Sequence, residues 1–317
     1  MADLTYIAHI IGQVNAVTAR CGPIFIYGEN IDSGSRISGL ARGLTVNPAG
    51  RIQNVGNCEL THSGVGLGMM LDGGQAALFA KQLDFMLLGL DQFVNTFNIV
   101  RASRPRSTWG SFTVFVIVCD QGFQGPQSSF NGAGDVASMA NIPVFCLNGA
   151  QDAARVIEHH FAAPGFRIMC LSQRQFGQPA LDLPLEASSN DDAVFRYRSG
   201  NDATVASFNF SLRDASDMDT RLRAAGVESD LFHVNFVPGI DMAMLIDSCR
   251  RTRKLIVIDD SKTVTKFGDA LVTELRAMAI DVDVLSFGRR GCPDADYGAV
   301  EDRFVPDVER ALAFARH

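Results

Sequence analysis

Glu59 stands at a junction: the polar loop Val55-Gly56-Asn57-Cys58 precedes it, and a run of small and apolar residues to Met70 follows. A carboxylate there has an ordinary use, because negative charge in a helix's first turn favours the helix dipole. Buried, it gains a second use, since desolvation lets a carboxyl hold a proton near neutrality. Other chemistry-bearing patterns carry less. Gly132-Ala133-Gly134-Asp135-Val136-Ala137 matches a loose dinucleotide fingerprint, but it follows a loop and not a strand. Gly64-Val65-Gly66-Leu67-Gly68 has Met69 where a third glycine should stand, so it reads as a helix packed closely on a neighbour. No P-loop and no G-x-S-x-G elbow occurs. His159 and His160 are adjacent, which predicts different helix faces and no shared metal. Cys58 is a conceivable nucleophile without an identifiable base.

The elements that must position these residues alternate along the chain. IFIY (24–27), TVFVIV (113–118), PVFCL (143–147) and FRIMCL (166–171) read as buried strands. Leu83, Met86, Leu87, Leu90, Phe93, Val94 and Phe97 recur at helical steps, predicting one amphipathic helix over 83–100. A second, shorter helix fits 151–161. From 177 to 202 the pattern lapses into a polar, acidic stretch that reads as a linker. Strands then fit 203–208, 231–237, 254–260 and 282–287, with helices at 213–225, 241–251, 266–279 and 306–316. Such alternation predicts parallel sheets covered on both faces.

The bulk numbers agree. The chain has 317 residues, 47% of them hydrophobic and 20% charged, enough for two domains with a core each. Its net charge of −7 disfavours nucleic acid, and the short basic runs at 101–106 and 250–254 read as a solvated loop and a helix end. The first residues have neither a basic n-region nor a long apolar run, so neither a secretion signal nor a membrane anchor is expected. Seven cysteines without C-x-x-C spacing, several inside apolar runs, fit the cytoplasm.

Residues 51–95 carry a resemblance. Arg51-Ile52-Gln53-Asn54 leading to Glu59, then Asp84-Phe85 and Asp91-Gln92-Phe93-Val94-Asn95 beginning 25 residues after that glutamate, look like the β subunit of the 2-oxoacid dehydrogenase E1 component. More distantly they resemble the second half of transketolase. The likeness extends to Gly28-Glu29 at a strand end and to 199–208, 250–261 and 267–275 in the second half.

The resemblance implies a function and a division of labour. The fold would be α/β, with a pyrimidine-binding domain over 1–185 and a transketolase-type C-terminal domain over 200–317, each a mostly parallel sheet flanked by helices. The cofactor would be thiamine diphosphate, an electron sink for carbanions beside a carbonyl. Glu59 would be the acid that bonds the pyrimidine N1′ and favours the imino tautomer. Phe85 would pack on that ring, with Glu29, Asn57 and Gln82 around it. Gln127 and Ser128, in the loop after TVFVIV, would face the substrate. The family's diphosphate-binding half carries G-D-G followed by N-N, which holds Mg²⁺. This chain has no G-D-G, so a separate α chain is expected to hold the metal and the diphosphate.

Departures narrow the chemistry. Gly56-Asn57-Cys58-Glu59 replaces P-I-[ST]-E, Gln82 replaces an aromatic, and Gly125-Pro126-Gln127-Ser128-Ser129 lacks the family's loop histidine. The expected reaction is transfer of a two-carbon ketol or acyl unit by an α2β2 heterotetramer with a β–β contact, acting on a small-molecule substrate. Oxidative decarboxylation by a dehydrogenase complex is the alternative, and a non-catalytic scaffold of the same fold is a third.

Overall fold

A computed structural model describes residues 4–121, 128–289 and 304–316. Helix α1 (Tyr6–Thr18) leads into β1 (Ile24–Gly28), β2 (Arg51–Asn54), α2 (Glu59–Leu71) and β3 (Gln75–Ala80). After α3 (Leu83–Met86) and α4 (Phe97–Ser103) come β4 (Ser111–Val118), α5 (Ala133–Ala140), β5 (Val144–Leu147), α6 (Ala150–His160) and β6 (Gly165–Ser172). The six strands form one parallel sheet in the order β2-β1-β3-β4-β6-β5. Every residue of β4 is buried, as the apolar run Val114–Val118 suits in a central strand covered on both faces, and the buried Thr113 hydroxyl donates to the Phe161 carbonyl at 2.8 Å.

A second sheet takes up the rest. Its strands are β7 (Ala187–Ser188), β8 (Val194–Arg198), β9 (Ala203–Phe208), β10 (Ser229–Val234), β11 (Lys254–Asp259) and β12 (Asp283–Gly288). Their order is β12-β11-β9-β10-β8-β7, parallel from β12 to β10, with β8 and β7 added antiparallel at one edge. Helices α7 (Leu212–Ala224), α8 (Ala243–Thr252), α9 (Phe267–Ala277) and α10 (Val308–Arg316) complete it.

Two expectations need correction. The stretch 83–100 is not one helix. It breaks into α3, a 3₁₀ turn at Leu87–Gly89 and a π turn at Gln92–Thr96 before α4. The tight and wide turns offset each other, so Met86, Phe93, Phe97 and Val100 still face the core while Leu87 is exposed. The break lies where Gly89 abuts α2: a Cβ there would fall 2.3 Å from Ser63 Oγ.

The stretch 177–202 is not a plain linker either, since it contributes β7 and β8 to the second sheet. Its acidic patch is tied to α6. Asp192, only 2% exposed, accepts from Arg155 Nε at 2.5 Å, His159 Nδ1 at 2.7 Å and His160 Nε2 at 3.0 Å. The two adjacent histidines therefore meet at one carboxylate. Burial opposes charge on Asp192, but donation from His160, His159 and Arg155 outweighs it and holds the carboxyl down at about 2.

The two sheets share a core. One apolar cluster runs from Phe115, Phe145 and Leu147 to Phe195, Val205 and Leu212. Val144 and Phe236 exchange backbone bonds of 2.8 and 3.1 Å, tying β5 to the end of β10. Beside this seam lies a buried polar joint at strand ends. Arg174 reaches Asp260 Oδ2 at 3.3 Å and Asp120 Oδ2 at 3.7 Å, and Asn209 bonds both Asn131 and Asp260. Burial pushes Asp120 and Asp214 up to about 6 despite Arg174.

Candidate functional site

The carboxyl ends of β1, β2 and β3 come together, and ligands of open parallel sheets bind at such ends. Gly28 closes β1 against β3; a Cβ there would lie 2.3 Å from the Phe79 carbonyl oxygen. Glu29 follows at once. Beyond β2 the loop 55–58 carries Asn57 and delivers the chain to Glu59, the first residue of α2. Helix α2 is seated deeply because Gly66 lets it rest on β4, where a Cβ would meet the Phe112 ring at 2.1 Å. Of the three glycines in this run only Gly66 is needed for contact with the sheet, since nothing lies within 4 Å of a Cβ on Gly68.

These elements enclose a small cavity lined by Glu29, Asn57, Glu59, His62, Lys81 and Phe85, among others. Four residues singled out in the sequence thus share one concavity. Asn57 donates its amide to both carboxylate oxygens of Glu29, at 2.9 and 2.7 Å, and Asn30 adds a bond at 3.2 Å. Glu59 is half-buried, and no side chain among the described residues donates to its carboxylate. That leaves it free to bond a ligand nitrogen. Phe85 supplies an apolar wall and Lys81 a cation.

His62 escaped the sequence reading. It lies one turn beyond Glu59, and that spacing was the available signal. Its Nε2 donates to the Gly56 carbonyl at 2.5 Å, holding the 55–58 loop down, while the buried Tyr27 hydroxyl donates to the His62 carbonyl at 2.6 Å. Cys58 is exposed at the N-cap, its thiol lowered by the Thr61 hydroxyl 2.9 Å away.

Gln82 and Ser128 form a separate cluster and do not line this cavity. Ser128 Oγ donates to the buried Gln82 Oε1 at 3.2 Å, and the backbone of Ser129 and Phe130 donates to Asp84 Oδ1 at 3.2 and 3.0 Å. Gln127 lies outside the described residues.

The whole architecture has a close counterpart among solved structures. A split-gene transketolase, solved as an inactive β4 tetramer, superposes with a TM-score of 0.64 at 14% identity, covering 98% of this chain and 95% of that one. This chain has a transketolase-like fold. The transketolase-like chain is also similar in sequence to the pyruvate dehydrogenase E1 component subunit beta of Rhizobium meliloti (strain 1021), 21% identical over 308 residues, spanning 91% of this chain and 64% of that protein. It is 25% identical over 179 residues to 1-deoxy-D-xylulose-5-phosphate synthase of Parasynechococcus marenigrum (strain WH8102), spanning 55% of this chain and 27% of that enzyme. It therefore spans less than two thirds of either curated relative. No family model matches it. Among the described residues of this transketolase-like chain, no helix is long and apolar enough to cross a membrane.

Proposed function

We propose that this chain is the β-type half of a thiamine-diphosphate-dependent enzyme that, with an α chain, transfers a two-carbon ketol or acyl unit. The carrying observation is the convergence of Glu29, Asn57, Glu59 and Phe85 on one cavity, with the Glu59 carboxylate unbonded among the described residues. An unbonded acid beside an aromatic wall suits a nitrogen heterocycle. When bound, the cofactor supplies an electron sink for a carbanion next to a carbonyl. Glu59 bonds the pyrimidine N1′ and shares a proton there. Phe85 orients the ring by stacking, and the Asn57–Glu29 pair holds the loop over it.

The cavity measures about 30 Å³, room for roughly one water, whereas ligand pockets run to roughly 300–1,000 Å³. One wall of a larger site is the reading that fits. A partner α chain, bearing G-D-G and N-N, completes it and holds Mg²⁺ and the diphosphate, in an α2β2 assembly with a β–β contact. Free thiols at all described cysteines suit the cytoplasm. The pyruvate dehydrogenase subunit among the relatives supports a second reading, oxidative decarboxylation of a 2-oxoacid.

The experiment measures thiamine diphosphate binding with Mg²⁺ to each chain alone and to the mixture. Tight binding is expected only in the mixture, and Glu59→Gln in that mixture should lower turnover by about 10²–10⁴-fold without dissociating the complex. Tight binding by this chain alone would overturn the shared site, and full activity of Glu59→Gln would overturn the role of the acid.

A further inference from the structure

A second cavity, of about 370 Å³, shares no lining residue with the one around Glu59. It lies at the carboxyl ends of β10 and β11, with α5 of the first sheet as its opposite wall. Asp259, the last residue of β11, is 1% exposed and lines it. Its Oδ1 accepts from the Ser261 backbone at 2.9 Å, but Oδ2 is buried with no hydrogen-bond partner among the described residues. A buried polar atom left so costs about 1–3 kcal/mol, more when charged, so such an oxygen calls for a donor.

Lys266 lines the same cavity. Its ammonium donates to the Ser261 carbonyl and stands 3.5 Å from Ser261 Oγ, yet among the described residues it forms no ion pair. Asp135 lines the chamber too, so one ammonium and two carboxyl groups share it with no direct ion pair among the described residues. The rings of Phe236 and Phe267, edge to face at 4.9 Å, supply an apolar wall. The volume lies at the low end of the range for small-molecule pockets.

We propose that this cavity binds a small apolar amino acid. The ligand's ammonium donates to Asp259 Oδ2, its carboxylate accepts from Lys266, and its side chain packs against Phe236 and Phe267. A lone cation would leave Lys266 opposed, and a lone carboxylate would face Asp259; a zwitterion satisfies both.

Calorimetric titration of the full chain with leucine, isoamylamine and 4-methylpentanoate tests this, with valine and phenylalanine as further probes. One equivalent of an apolar amino acid should bind, the amine and the acid at least tenfold more weakly. Asp259→Asn and Lys266→Met should each weaken binding at least tenfold while circular dichroism stays native. Absence of binding by all three amino acids would mean that a water alone serves Asp259, and would overturn the proposal. Undiminished binding by both variants would overturn it equally. No thiamine diphosphate or α chain is needed, so this result and that of the Glu59 experiment are independent.

Discussion

The Asn57 amide spans both oxygens of the Glu29 carboxylate, at 2.9 and 2.7 Å, and so joins the loop after β2 to the end of β1. A hydrogen bond to a charged group contributes about 1.5–3 kcal/mol when shielded and less when exposed, and Glu29 is exposed in the isolated chain. Its worth should therefore emerge on assembly. Asn57→Ala is expected to weaken cofactor binding by the αβ mixture about tenfold, read by fluorescence titration, while the melting temperature of the isolated chain barely moves.

Two glycines two residues apart, on different faces of α2, should respond oppositely to the same change. Gly66→Ala drives a methyl into the Phe112 ring and should cost about 1–3 kcal/mol, since overpacking displaces neighbours. Gly68→Ala meets nothing within 4 Å and should be neutral or stabilising by up to about 1 kcal/mol through helix propensity. Urea unfolding of the two variants side by side checks both.

Asp192 makes acid stability predictable in sign. Its folded carboxyl sits at about 2, below the ordinary value of 3.8, so its contribution is present above the unfolded value. It is lost as pH falls through the window between them. Asp192→Asn should shrink the stability difference between pH 5 and pH 2.5, measured by urea unfolding at each pH.

Asp120 and Asp214 act the other way. Burial raises both to about 6, so each favours the folded state fully below about pH 4 and loses that contribution as pH rises toward 6. Carboxyl NMR should find two acids in this joint titrating near 6, well apart from the exposed ones.

Asp84 holds the segment entering α5 through the backbone of Ser129 and Phe130. Asp84→Ala should remove the acceptor of the Phe130 N–H, costing about 1–3 kcal/mol if that donor stays buried. Faster proteolytic cleavage near 128–130, mapped by mass spectrometry, is the expected sign.

The amino-acid order alone determined the alternating strands, because a strand buried on both faces is mostly apolar, as VFVIV (114–118) is. The resemblance over 51–95 named Glu59 and Phe85 together, and the fold brings both to one cavity. The order did not reveal β2 or β3: Arg51–Asn54 is partly exposed and mixed in character, and Gln75–Ala80 is rich in alanine, so neither has a sharp periodic pattern. Nor could it show the break near Gly89, the three donors gathered on Asp192, or the grip of Asn57 on Glu29. Those depend on which strands lie side by side. Periodicity reports how one segment meets its own surroundings, whereas sheet order decides which distant side chains become neighbours.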